Sequence, residues 1–174
     1  MEEAGWEQQF RDAYQRARAA YEQGADTPAV CVADTDRKLL AEIGCSPQEL
    51  FDFVEDDVTV GEPGLEKTLA ITRVRWEYLS EVERGKAPER IRRTAEFPSP
   101  AETLGGIPWL PRIIAKARAK LRGELPPDLM YSCGGDRRFL REHGLEADAF
   151  LRAVWRAGEE DGPILEYVQR RGQG

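Results

Sequence analysis

Apolar residues recur along this chain at helical spacing. Trp6, Phe10, Tyr14, Ala17 and Tyr21 fall every three or four positions, one stripe of a helix, and Gly24 follows as a stop. A short helix is predicted over 35–43, ending at Gly44, where a left-handed cap favours glycine. Ser46-Pro47-Gln48-Glu49 then supplies a capping box with proline at the first helical position, so the next helix runs over about 47–56. Leu65, Leu69, Thr72, Trp76 and Leu79 mark a longer helix over about 63–84, ended by Gly85. Further helices are predicted near 108–122, 135–143, 147–157 and 162–171. Only Ala29-Val30-Cys31-Val32 hints at a strand, too little for a sheet.

The pattern also repeats. Shifted by 100 residues, 10–69 aligns with 110–169 without a gap, giving 12 identities in 60 positions. These cluster. Ala17-Arg18-Ala19 lies on Ala117-Arg118-Ala119, and the segment from Asp36 to Gly44 lies on that from Asp136 to Gly144. The predicted fold is therefore all-α, with two tandem copies of a three-to-four-helix unit packed around a shared core. The first copy is 1–69, the connecting helix and Pro/Gly-rich linker 70–108, and the second copy 109–174, in one compact domain overall. Inside the linker, Ser99, Pro100 and Glu102 predict a single capped helical turn.

Charge adds a contrast between segments. The chain of 174 residues carries a net charge of −7, but 1–69 has a net of −10, 70–122 of +6 and 123–174 of −3. The basic segment 73–122 is where a nucleic acid or phosphate would bind. Arg112, Lys116 and Lys120 form one stripe of the helix near 108–122. Two readings of that stripe stay open: an anion-binding face, or a solvated face set against the acidic first copy. Leu40 to Leu50 has the outline of a helix-turn-helix, but its second helix carries Glu49, Asp52, Glu55, Asp56 and Asp57, which phosphate would repel.

Catalytic and metal chemistry find little support. One histidine, His143, and three widely spaced cysteines, Cys31, Cys45 and Cys133, make a poor ligand set, so no metal and no cofactor is expected. His143 sits where it would satisfy the last carbonyls of a helix, and Cys133 reads as a buried, inert thiol. Gly105-Gly106 lacks the spacing of a phosphate loop and reads as close backbone packing. Tyr131, Cys133, Asp136 and Arg137 are the residues an enzyme would use in a cleft between the copies. Arg18, Asp36, Arg118 and Asp136 are expected instead to form equivalent structural ion pairs, Arg18 with Asp36 and Arg118 with Asp136, because a catalytic pair need occur only once.

The segments Ser99 to Gly106, Leu110 to Leu121 and Asp136 to Leu140 resemble an uncharacterised bacterial family known as domain of unknown function 5069. The resemblance covers about 98–168 and, more weakly, the first copy. It implies a helical fold and no activity. Ala115 and the loop Leu129 to Cys133 depart from the family's pattern. The whole reading favours a non-enzymatic, cytoplasmic helical interaction module without a membrane segment. Its partner stays open among a second copy of the chain, an acidic protein and, less favoured, a nucleic acid.

Overall fold

In the computed structural model, which describes residues 3–86 and 88–172, the chain divides into two compact units, Met1–Lys86 and Ala87–Gly174. Helices dominate both. The first unit holds α1 (Glu3–Glu22), α2 (Pro28–Cys31), α3 (Asp34–Ile43), α4 (Pro47–Val60) and α5 (Leu65–Glu81). The second holds α6 (Leu110–Arg122), α7 (Gly134–Glu142), α8 (Ala147–Ala157) and α9 (Gly162–Arg171). The helix expected to connect two copies is α5, and it lies inside the first unit.

In the first unit the apolar stripe of α1 is the centre of the core. Trp6, Phe10, Ala13, Tyr14 and Ala17 are all buried. Helix α1 packs on α3, α4 and α5. Leu50, Phe51, Phe53 and Val54 of α4 and Leu69, Ile71 and Val74 of α5 complete the core. The expected capping box is present: Glu49 N donates to Ser46 Oγ (3.1 Å) and Ser46 N to Glu49 Oε2 (2.9 Å). Helix α4 continues one turn beyond the predicted end, stopping at Gly61 (φ 78°). The segment with a hint of strand instead forms the helical turn α2, started by Pro28 at its first position. Gly44 caps α3 at φ 72°, and a Cβ there would lie 2.8 Å from Nε of the buried Arg75. Two constraints therefore hold glycine at this position.

Acidic residues of α4 are not all free surface charge. Asp57 accepts from Tyr14 Oη (3.0 Å) and Arg18 Nη1 (2.5 Å). Asp52 accepts from Gln48 Nε2 (2.7 Å), but burial, with repulsion from Glu55, Glu49 and Asp56, raises its pKa to about 6. A carboxyl that holds its proton more tightly when folded contributes most stability below its unfolded pKa, near 4, and loses it as pH rises through about 6. Asp52→Asn keeps an acceptor for Gln48 without the charge. Urea denaturation should find the variant more stable than the wild type at pH 7, with the gap closing as pH falls from 6 to 4. A gap that does not change with pH would contradict this origin.

The second unit begins with the turn-rich segment. It contains a 3-10 turn (Thr94–Glu96) and a two-stranded hairpin of β1 (Thr103–Leu104) and β2 (Ile107–Pro108), paired antiparallel across Gly105-Gly106 at φ 57° and 79°. The expected helical turn at Ser99 is a plain turn: Ser99 N donates to Glu102 Oε1, but Ser99 Oγ accepts from Ala101 N, too early for a capping box. Strand β2 takes Ile107 and Pro108, so α6 starts at Leu110 rather than 108. Ile113, Ile114, Ala117 and Leu121 of α6 are buried, as predicted, with Phe139, Leu140, Phe150, Leu151, Val154, Ile164 and Val168. Helix α6 packs on α8, and α8 on α9. Among the described residues no helix is long and apolar enough to cross a membrane.

Candidate functional site

The feature that organises the second unit is a buried charge pair. Lys116 and Asp136 are 1 % and 0 % exposed. Lys116 lies on α6 and projects toward the first turn of α7, where the helix dipole favours an acid. Its Nζ donates to Asp136 Oδ2. The same carboxylate accepts from Ser132 N at 3.0 Å on Oδ2 and from Trp109 Nε1 at 2.9 Å on Oδ1. Three donors, one of them cationic, make Asp136 a fixed acceptor rather than a base open to a substrate.

This overturns two expectations about charge. The repeated pairs are not Arg18 with Asp36 and Arg118 with Asp136. Arg18 pairs with Glu22 and Asp57, and Arg118 with Asp161 (2.8 Å), also donating to Gly158 O (2.9 Å). The partners of the two aspartates stand two residues earlier on each helix: Arg16 with Asp36 (2.6 Å) and Lys116 with Asp136. Helix geometry explains the miss, since two residues amount to about 200° of rotation. Position 16 faces α3, whereas position 18 faces α4. The signal was available, because both 16 and 116 are basic and both stand 20 residues before the acid.

The expected stripe of Arg112, Lys116 and Lys120 is likewise not an exposed face. Lys116 and Lys120 are buried, and Arg112 donates to Pro98 O at 2.7 Å. Neither reading of the stripe, anion-binding or solvated, anticipates this, because sequence spacing does not reveal a buried countercharge.

Around the pair, the proposed catalytic residues are engaged in structure. Tyr131 is 1 % exposed and donates to Ala147 O (2.7 Å); burial first, then the negative charges of Asp136 and Asp148, pushes its pKa well up. Arg137 donates to Ser132 O at 2.7 Å. Cys133 is half-buried rather than buried, and Lys116 Nζ reaches its Sγ at 3.2 Å. Among the described residues no three His, Cys, Asp or Glu side chains converge to hold a metal ion.

What the cluster does fix is Trp109. This residue sits in left-handed backbone, φ 70°, between β2 and α6, a conformation that costs a bulky residue of order 1 kcal/mol or more. Its indole is tied to Asp136 and packs against Gly135, where a Cβ would come within 2.4 Å of Cζ2. The ring thereby forms one wall of a groove of about 380 Å³, lined also by Ile107, Phe139 and His143, with Arg138 and Glu142 beside them. Phe139 and His143 stack with centroids 4.3 Å apart, and His143 Nδ1 lies 2.8 Å from Phe139 O. A carbonyl can only accept, so Nδ1 carries a proton and donates to it. Trp109, Arg138 and Glu142 were not singled out from the sequence. The available signal was a tryptophan opening a helix and a glycine pair opening another, whose meeting only the fold reveals.

Residues 94–174 match the family model described as Domain of unknown function (DUF5069). The match covers nearly all of the second unit, including every residue of the groove and of the buried pair, and none of the first. No curated protein and no solved structure matches the chain.

Proposed function

We propose that the chain is a non-enzymatic binding module of the cytoplasm whose site is the Trp109 groove of the second unit. The observation that carries this is the preparation of Trp109: a strained backbone, a fixed indole and a glycine kept bare against it, all holding the ring in place. Ligand sites are concave, largely apolar and preformed, with a few polar groups at defined positions, and commonly range over about 300–1,000 Å³. The buried pair behind the wall acts as its support, since an indole fixed by a saturated carboxylate loses little entropy when a ligand stacks on it. Tyr131, Cys133 and Asp136 are assigned to this support rather than to catalysis. Three free cysteines agree with a reducing compartment.

The second unit has 15 basic and 13 acidic residues and two lysines of the basic helix are buried, so a nucleic-acid footprint finds little support. Titrating neutral indole into the full chain tests the proposal by 1H–15N NMR. Shifts should concentrate at 106–109, 135 and 138–143. Saturable shifts confined to other segments, or none, would overturn it.

A further inference from the structure

Two charges at the groove are not explained by the fold. Arg138 and Glu142 stand four residues apart on α7, both are exposed, and both line the groove. Opposite charges at this spacing commonly pair along a helix. Here they do not, and among the described residues neither makes another ion pair or side-chain hydrogen bond. Their order is also the less favourable one for a helix, with the cation toward the N-terminus. Glu142 occupies the last turn, where the dipole disfavours an acid. Helix energetics therefore give no reason for this arrangement.

We infer that the groove takes a small zwitterion carrying a flat ring, an aromatic α-amino acid being the simplest member of the class. The inference rests on the reading of the groove as a ligand site. The ring stacks on Trp109 against Phe139, an offset or edge contact between aromatic faces. The carboxylate goes to the Arg138 guanidinium, whose planar fork matches it. The ammonium goes to the Glu142 carboxylate. One helical turn separates the two charged side chains, and both have enough flexible length to meet charges held on a single carbon. A phosphate or dicarboxylate fits worse, because Glu142 repels the second negative charge.

Four probes separate the terms in NMR titrations of the full chain: tryptophan, tryptamine without the carboxylate, indole-3-propionate without the ammonium, and indole with neither. Tryptophan should bind about tenfold more tightly than either singly charged probe, the value of one charge-assisted contact. Arg138→Gln should weaken tryptophan and indole-3-propionate by the same factor and leave tryptamine unchanged. Glu142→Gln should do the reverse. Both positions are on the surface, so neither change threatens folding. If all four probes shift the groove residues with affinities within about twofold of one another, the zwitterion inference fails and the groove stands. If none shifts them, both fail.

Discussion

Lys116→Met is expected to lower the unfolding free energy by about 3–5 kcal/mol. Methionine fills much of the lysine's volume, so packing changes little. The loss comes from Asp136, fully buried, which would keep its hydrogen bonds from Trp109 Nε1 and Ser132 N but lose its only cationic partner among the described residues. A carboxylate in that state must be carried uncompensated or protonated, and both cost stability. Lys116→Met combined with Asp136→Asn removes both charges and keeps an acceptor for the indole, so the double variant should recover a large part of the loss. Arg16 provides the comparison. Its side chain is 53 % exposed but that of Asp36 only 7 %, so Arg16→Met also strands a buried acid, beside a solvent-facing guanidinium site that water can fill, and should cost less than Lys116→Met. Urea denaturation of the full chain reads the magnitudes, and amide exchange in α6 and α7 assigns the first loss to the second unit. Equal, small losses at Lys116 and Arg16 would show that burial does not distinguish the two pairs.

Gly135→Ala is expected to destabilise the protein by about 1–3 kcal/mol and to disorder the groove. The added Cβ would sit 2.4 Å from Trp109 Cζ2 and 2.6 Å from Cη2. An exposed lysine tip could swing away from such a contact at little cost. This ring cannot, because moving it breaks the bond to Asp136 and leaves that oxygen without its donor. The neighbouring glycine is the control: a Cβ at Gly134 meets nothing closer than Arg137 Nη2 at 3.8 Å, so Gly134→Ala should stay within about 0.5 kcal/mol of wild type. Thermal melts give the stability difference, and near-ultraviolet circular dichroism follows the tryptophan environment. A Gly135→Ala protein with unchanged melting and an unchanged aromatic spectrum would mean that the indole is not held where the groove requires it.

The sequence was informative where the physics is local. Period-three-to-four apolar stripes placed α1 and α5, because a helix that buries one face must repeat at that period. Glycine after Ile43 and the Ser46–Glu49 box marked helix ends, because caps depend on residues within four positions of each other. Buried Ile113, Ile114, Ala117 and Leu121 followed from the same rule.

Tertiary structure decided everything that depends on which helix faces which. Arg18 and Arg16 differ by two residues in sequence but by more than half a turn in direction, so pairing Asp36 required knowing where α3 packs. Spacing puts Lys116 on a basic stripe with Arg112 and Lys120, open to solvent or to an anion, whereas its burial depends on Asp136, a partner 20 residues away. The groove lay further out of reach. Trp109, Gly135, Arg138 and His143 are unremarkable one by one, and only the packing of α7 beside the start of α6 gives them a common wall. The sequence by itself thus determined the helices and their ends, through contacts within a few residues; the charge pairs and the site were set by long-range packing, which local spacing does not encode.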